Sequence, residues 1–126
     1  MTLHAAVWID HHEARVFIFG PDAEVEKTLK VASHHVHHEK KGERSTGKVD
    51  HATEQFFHSV AKALEGAGEI LVLGPGSAKL AFFRHVHAHD RALEPKIVGV
   101  ETVDHPTDGQ LVAHVKAYFR RTDPLR

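Results

Sequence analysis

The sequence predicts an α/β fold: a mixed sheet of five strands with helices on both faces. Three observations predict it. Short β-rich apolar runs occur at 5–9, 15–19 and 70–73. Three other stretches repeat apolar residues at helical spacing. In chain order, strands and helices then read β-β-β-α-β-α-β-α, with hairpin-like connections first and crossovers later.

The first strand is AAVWI, residues 5–9, an apolar run suited to burial on both faces. Asp10-His11-His12-Glu13-Ala14 reads as a turn. RVFIF at 15–19 is the second strand, closed by the turn signature Gly20-Pro21-Asp22. Residues 24–31 alternate weakly and suit a third strand with one wet face. Asp50 is placed to cap a helix running to about residue 65, with Phe56, Phe57, Val60, Ala61 and Leu64 as its buried stripe and Gly66 and Gly68 as its stop. ILVL at 70–73 is a fourth strand, and Gly74-Pro75-Gly76 turns the chain. Ser77 is expected to cap a second helix that buries Leu80, Phe83, Val86 and His87. Residues 96–103 form the fifth strand. Thr107-Asp108-Gly109-Gln110 matches a capping box, in which a hydroxyl and an amide satisfy each other's free backbone donors. The last helix buries Leu111, Val115, Tyr118 and Phe119. This order is the ribonuclease H-like β-β-β-α-β-α-β-α arrangement.

With 126 residues the chain fits one domain, 1–126, large enough to bury a core without staples. No apolar run approaches the roughly 20 residues that span a bilayer, so no membrane partner is expected. The opening MTLHAAVWIDHHEAR lacks the basic and long apolar segments of a signal peptide. There are no cysteines, which excludes disulfides and thiolate metal sites. A cytoplasmic protein is the expectation. The formal charge of -1 argues against a surface that is basic throughout, but not against a local basic patch. The 14 histidines are the unusual feature. With an ordinary pKa of about 6.5, they make net charge sensitive to a fall of about one pH unit.

Two features concentrate between the third strand and the first helix. His34, His35, His37 and His38 crowd together, and Lys40, Lys41, Arg44 and Lys48 follow in a stretch broken by Gly42 and Gly47. Lysine and arginine give phosphate affinity without sequence choice, and imidazoles beside them add charge or stack on bases. The same imidazoles are ligands for zinc or nickel, but a stable site wants three or four donors. Another donor is available from His51, Glu54 or His58, which share a helix face at spacings of three and four.

Other candidates have plainer readings. Gly74, Gly76, Ser77 and Lys79 open a helix whose free N–H groups suit an anion. A tight strand-to-helix turn explains the same residues, and no P-loop spacing is present. Asp10, at the end of the first strand, and Glu54 do not complete the set of acids that a two-magnesium nuclease needs, so a turn role suits Asp10 better. His87 falls on the expected buried stripe. Arg84, His85, His89 and Arg91 are expected to form a wet basic surface. Asp104-His105-Pro106-Thr107-Asp108 has no serine or cysteine nucleophile to serve and reads as a loop and cap.

Three stretches carry a family resemblance: AAVWIDHHEARVFIF, LVLGPGSAKLAFFRHV and VGVETVDHPTDGQLVAHV. Together they resemble the middle domain of archaeal and eukaryotic class-1 release factors and of Pelota, and small stand-alone bacterial relatives often called "translational machinery protein". The resemblance covers nearly the whole chain, and Gly74-Pro75-Gly76 with Lys79 is its most specific part. It implies a ribonuclease H-like fold and a partner in the ribosome, through rRNA or tRNA. One departure is decisive. Release factors carry Gly-Gly-Gln in the loop after the third strand, where it promotes ester hydrolysis. This chain has HHVHHEKKGERSTGKVDH there, and Gln110 follows Gly109 on another segment. Peptidyl-tRNA hydrolysis therefore does not carry over. The matching interval in Pelota also lacks the motif. The expectation is a non-catalytic RNA- or ribosome-binding protein that needs no cofactor, with Lys40, Lys41, Arg44 and Lys48 as contacts. A histidine-rich zinc or nickel protein is the alternative, and a residual metal-dependent hydrolase the third reading. A homodimer is compatible with the sequence.

Overall fold

The computed structural model describes residues 3–33 and 51–122. Strands β1 (His4–Ile9), β2 (Glu13–Phe19) and β3 (Val25–Ala32) precede helix α1 (His51–Ala63). Strand β4 (Glu69–Gly74), helix α2 (Ala78–His89), a 3-10 turn at Glu94–Lys96, strand β5 (Ile97–Thr102) and helix α3 (Asp108–Thr122) follow. The sheet order is β3-β2-β1-β4-β5. β1 pairs antiparallel with β2, and β2 with β3. β1 pairs parallel with β4, and β4 with β5. This is the mixed five-stranded α/β sheet that the element order predicts.

Central strands become continuous apolar runs because both their faces are covered. In β1, Ala5, Val7 and Ile9 point into one core with Phe57, Val60, Leu64, Phe82 and Val86 of α1, α2 and the turn between α1 and β4. Ala6 and Trp8 point the other way, onto Leu111, Val115 and Phe119 of α3. Two helices therefore cover one face and one helix the other. Trp8 has no exposed surface, and its indole N–H donates to Asp104 O at 2.8 Å. This bond ties the middle of the sheet to the loop before α3. At the opposite extreme, β3 is an edge strand exposed along most of its length.

Close approach explains one glycine in the turn after β4. A Cβ on Gly74 would collide with the carbonyl oxygen of Ile9, whereas a Cβ on Gly76 would meet nothing within 4 Å. Gly66 has φ 95°, the left-handed conformation that ends a helix most cheaply at glycine. The capping box forms as expected: Gln110 N–H donates to Thr107 Oγ1 at 3.1 Å, and Thr107 N–H donates to Gln110 Oε1 at 2.9 Å.

The structure corrects five details. β2 begins at Glu13, inside the expected turn, because the hairpin is tighter than the apolar pattern alone suggests. Ser77 stands at the N-cap of α2 with helical φ and ψ (-86°, -8°) and makes no side-chain cap bond. Its hydroxyl instead lies 3.5 Å from His11 Nε2. α2 is also rotated relative to the expected stripe: Ala78, Lys79, Phe82 and Val86 are buried, while Leu80 is 48% exposed and His87 is exposed. His85, expected in solvent, has a side chain only 8% exposed. In α3, Leu111, Val115 and Phe119 are buried as expected, but Tyr118 is only partly covered and its hydroxyl donates to Val98 O.

Candidate functional site

The most distinctive polar site lies in the groove between α1 and α2. Helical spacing puts His51, Glu54 and His58 on one side of α1 and His85 and His89 on one side of α2. Together with Gln55 these residues line an open groove of about 400 Å³. Asp90, the C-cap of α2, is fixed by its backbone N–H, which donates to Val86 O at 2.8 Å.

His85 is held from below by aromatic packing, its ring 5.6 Å from Phe57 in an edge-on contact. Its Nε2 lies 3.4 Å from Asp90 Oδ2. Both atoms are shut off from solvent, and neither has a hydrogen-bond partner. Burial, and next the neighbouring His89, hold the His85 pKa below the ordinary histidine value, while Asp90 and Glu54 oppose that shift. The ring is therefore biased toward its neutral form, with a lone pair available. His58, His85 and Asp90 each offer a ligand atom within 4.8 Å of the others, the only such trio of His, Asp or Glu among the described residues.

The loops at one end of the sheet form a second polar cluster. Asp10 Oδ1 accepts from His12 N–H at 2.8 Å and Glu13 N–H at 2.9 Å, which closes the β1–β2 turn. Its other oxygen is 3.7 Å from His105 Nε2. Arg15 lies over the Trp8 ring at 4.4 Å and donates to Pro106 O and Asp108 Oδ1. These bonds staple β2 to the start of α3. Asp10 has the turn role that its position suggests. Glu54 lies in the α1–α2 groove, and the two acids do not join a ligand trio among the described residues.

At the Gly74–Lys79 turn, Lys79 is buried and its ammonium donates back to Gly76 O at 2.6 Å. This contact ties the lysine to the turn itself. Lys40, Lys41, Arg44 and Lys48, with His34, His35, His37 and His38, lie outside the described residues. Of the expected metal donors, His51 is exposed in the α1–α2 groove beside His58. Sequence reasoning misses the grouping of His58 with His85 and Asp90 because apolar spacing turns the wrong face of α2 inward. The signal that could have found it is the presence of two donors, His85 and Asp90, five residues apart around a helix end.

No protein-family description matches the sequence, nor does any curated protein sequence. Solved structures do match. Thermoplasma acidophilum Pelota superposes with a TM-score of 0.62 at 22% identity, over 95% of this chain and 32% of that protein. This chain has the ribonuclease H-like fold of the matched third of Pelota. S. cerevisiae Dom34, described as a translation termination-like factor involved in RNA quality control pathways, matches with a TM-score of 0.55 at 13% identity, over 97% of this chain and 37% of its own. Archaeal translation termination factor aRF1 matches with a TM-score of 0.51 at 17% identity, over 95% of this chain and 37% of its own. The chain thus spans about a third of the length of these structures. No helix among the described residues is long and apolar enough to cross a membrane.

Proposed function

We propose that this chain is a non-catalytic RNA-binding protein of the translation apparatus, a single cytoplasmic domain that contacts the ribosome through rRNA or tRNA. The observation that carries the proposal is the likeness to Thermoplasma acidophilum Pelota over nearly the whole chain. Two features of the sequence agree with it. The interval between β3 and α1 carries Lys40, Lys41, Arg44 and Lys48, a cationic set suited to phosphates. Gly-Gly-Gln, the hydrolytic motif of release factors, occurs nowhere in the sequence, so the role is to grip and not to cleave.

Cosedimentation of the purified chain with ribosomes tests the proposal. If four cations release counterions from single-stranded RNA, log affinity falls with log salt at a slope of about -3, or roughly 50-fold between 50 and 200 mM. Replacing Lys40, Lys41, Arg44 and Lys48 with alanine flattens that slope. Binding that is absent, or insensitive to both salt and the four substitutions, overturns the proposal.

A further inference from the structure

The α1–α2 groove carries an inference independent of any RNA partner. We infer that His58, His85 and Asp90 form a binding site for a divalent transition metal of the zinc class, with two imidazole nitrogens and one carboxylate oxygen as ligands. The argument starts from two buried atoms. Nε2 of His85 and Oδ2 of Asp90 face each other without solvent and without a hydrogen bond. Buried polar atoms are almost always satisfied, and a pair left open at one place marks a missing partner such as an ion.

Their separation is informative. Zinc–nitrogen and zinc–oxygen bonds of about 2.0–2.2 Å at a tetrahedral angle put neighbouring ligand atoms about 3.3–3.6 Å apart. The His85–Asp90 distance of 3.4 Å falls in that range. His58 supplies the third donor, with every pair of ligand atoms within 4.8 Å. Its side chain is exposed on α1 and free to close the remaining gap by a rotamer change. The rest of the site is built more rigidly. Asp90 is held by the end of α2, and His85 is packed against Phe57. Nitrogen and carboxylate donors suit zinc, nickel and copper more than magnesium or calcium. Three protein ligands leave a fourth position, to be closed by water or by His89 or Glu54, which line the same groove.

The site is separate from the histidine cluster at positions 34–38, and the test separates the two. Zinc is titrated into the untagged full chain in competition with a chromophoric chelator, and cobalt is added in parallel to read coordination from its visible spectrum. Four proteins are compared: wild type, His58→Ala, Asp90→Asn, and a variant with His34, His35, His37 and His38 all changed to alanine. His58 is exposed and Asp90→Asn preserves shape, so both variants keep the fold, which circular dichroism verifies. The expected result is one equivalent of zinc that survives the fourfold substitution, with tetrahedral cobalt bands. His58→Ala and Asp90→Asn each weaken that equivalent by at least about 10-fold, since even outer partners of metal ligands typically carry 10- to 100-fold. Three results overturn the inference: no zinc binding by wild type, unchanged affinity in both single variants, or complete loss of binding in the fourfold variant.

Discussion

Gly74→Ala isolates the close approach between β1 and β4. The added methyl group would overlap the Ile9 carbonyl oxygen, a backbone atom of the last β1 residue, which pairs with Ala14 of β2. It cannot swing aside as a side chain would, so the strands must separate or the turn must shift. Overpacking of this kind costs about 1–3 kcal/mol, and a backbone obstacle puts the expectation at about 2–3 kcal/mol. For 126 residues the unfolding entropy near the midpoint is about 0.26 kcal/mol/K, so Tm falls by roughly 8–11 °C. Gly76→Ala is the matched control. It meets open space, so it changes stability by less than about 0.5 kcal/mol or raises it slightly by restricting the unfolded chain. Thermal unfolding followed by tryptophan fluorescence measures both variants, because Trp8 is the single tryptophan and is completely buried. A Gly74→Ala protein that melts within about 2 °C of wild type would refute the steric reasoning. So would equal losses in the two variants.

The two helix starts predict opposite results. Thr107→Ala removes a formed capping bond and costs about 0.5–2 kcal/mol, whereas Ser77→Ala removes none and leaves the urea midpoint nearly unchanged. On α2, Phe82→Ala opens a cavity beside Phe57 and costs about 3–5 kcal/mol, while Leu80→Ala, on the wet side, costs under about 1 kcal/mol by the same assay. Burial followed by His89 lowers the His85 pKa in the folded state. The unfolded chain therefore binds the extra proton first, and the contribution of neutral His85 is complete above about pH 6.5 and declines as pH falls through that value. In chelator, the drop in unfolding free energy from about pH 7.5 to 5.5 is accordingly smaller for His85→Gln than for wild type. An equal or larger drop in the variant would contradict this assignment.

The sheet is legible in the sequence because its strands carry their burial in their composition. AAVWI and ILVL have apolar residues for two cores, and the alternation of β1 between Val7 and Trp8 follows from the pleat. α1 is equally plain, since Phe56, Phe57, Val60 and Leu64 define one stripe. α2 is not. Its sequence AKLAFFRHVHAH places apolar residues around much of the circumference, so spacing does not choose among competing faces. Contact with Phe57 and the sheet chooses Phe82 and Val86, which turns Leu80 and His87 outward and brings His85 in. That rotation hides the candidate metal ligands: they come from α1, α2 and a helix cap, 27 and 32 residues apart from His58, and only the packing of the two helices joins them. Lys79 is hidden for another reason, because a lysine beside a glycine turn looks free until its ammonium is seen on Gly76 O.

The border strand β3 has a consequence for solubility. Among the described residues no strand pairs with its outer side; such a border is a natural template for another chain, and an apolar strand there would recruit copies of itself. Glu26, Lys27 and Lys30 are exposed along it, and Lys30 is anchored to Glu13 at 3.2 Å. Any strand adding to this border would have to strip water from those charges, so the same residues that weaken β3 as a predicted strand guard the protein against fibre-like growth.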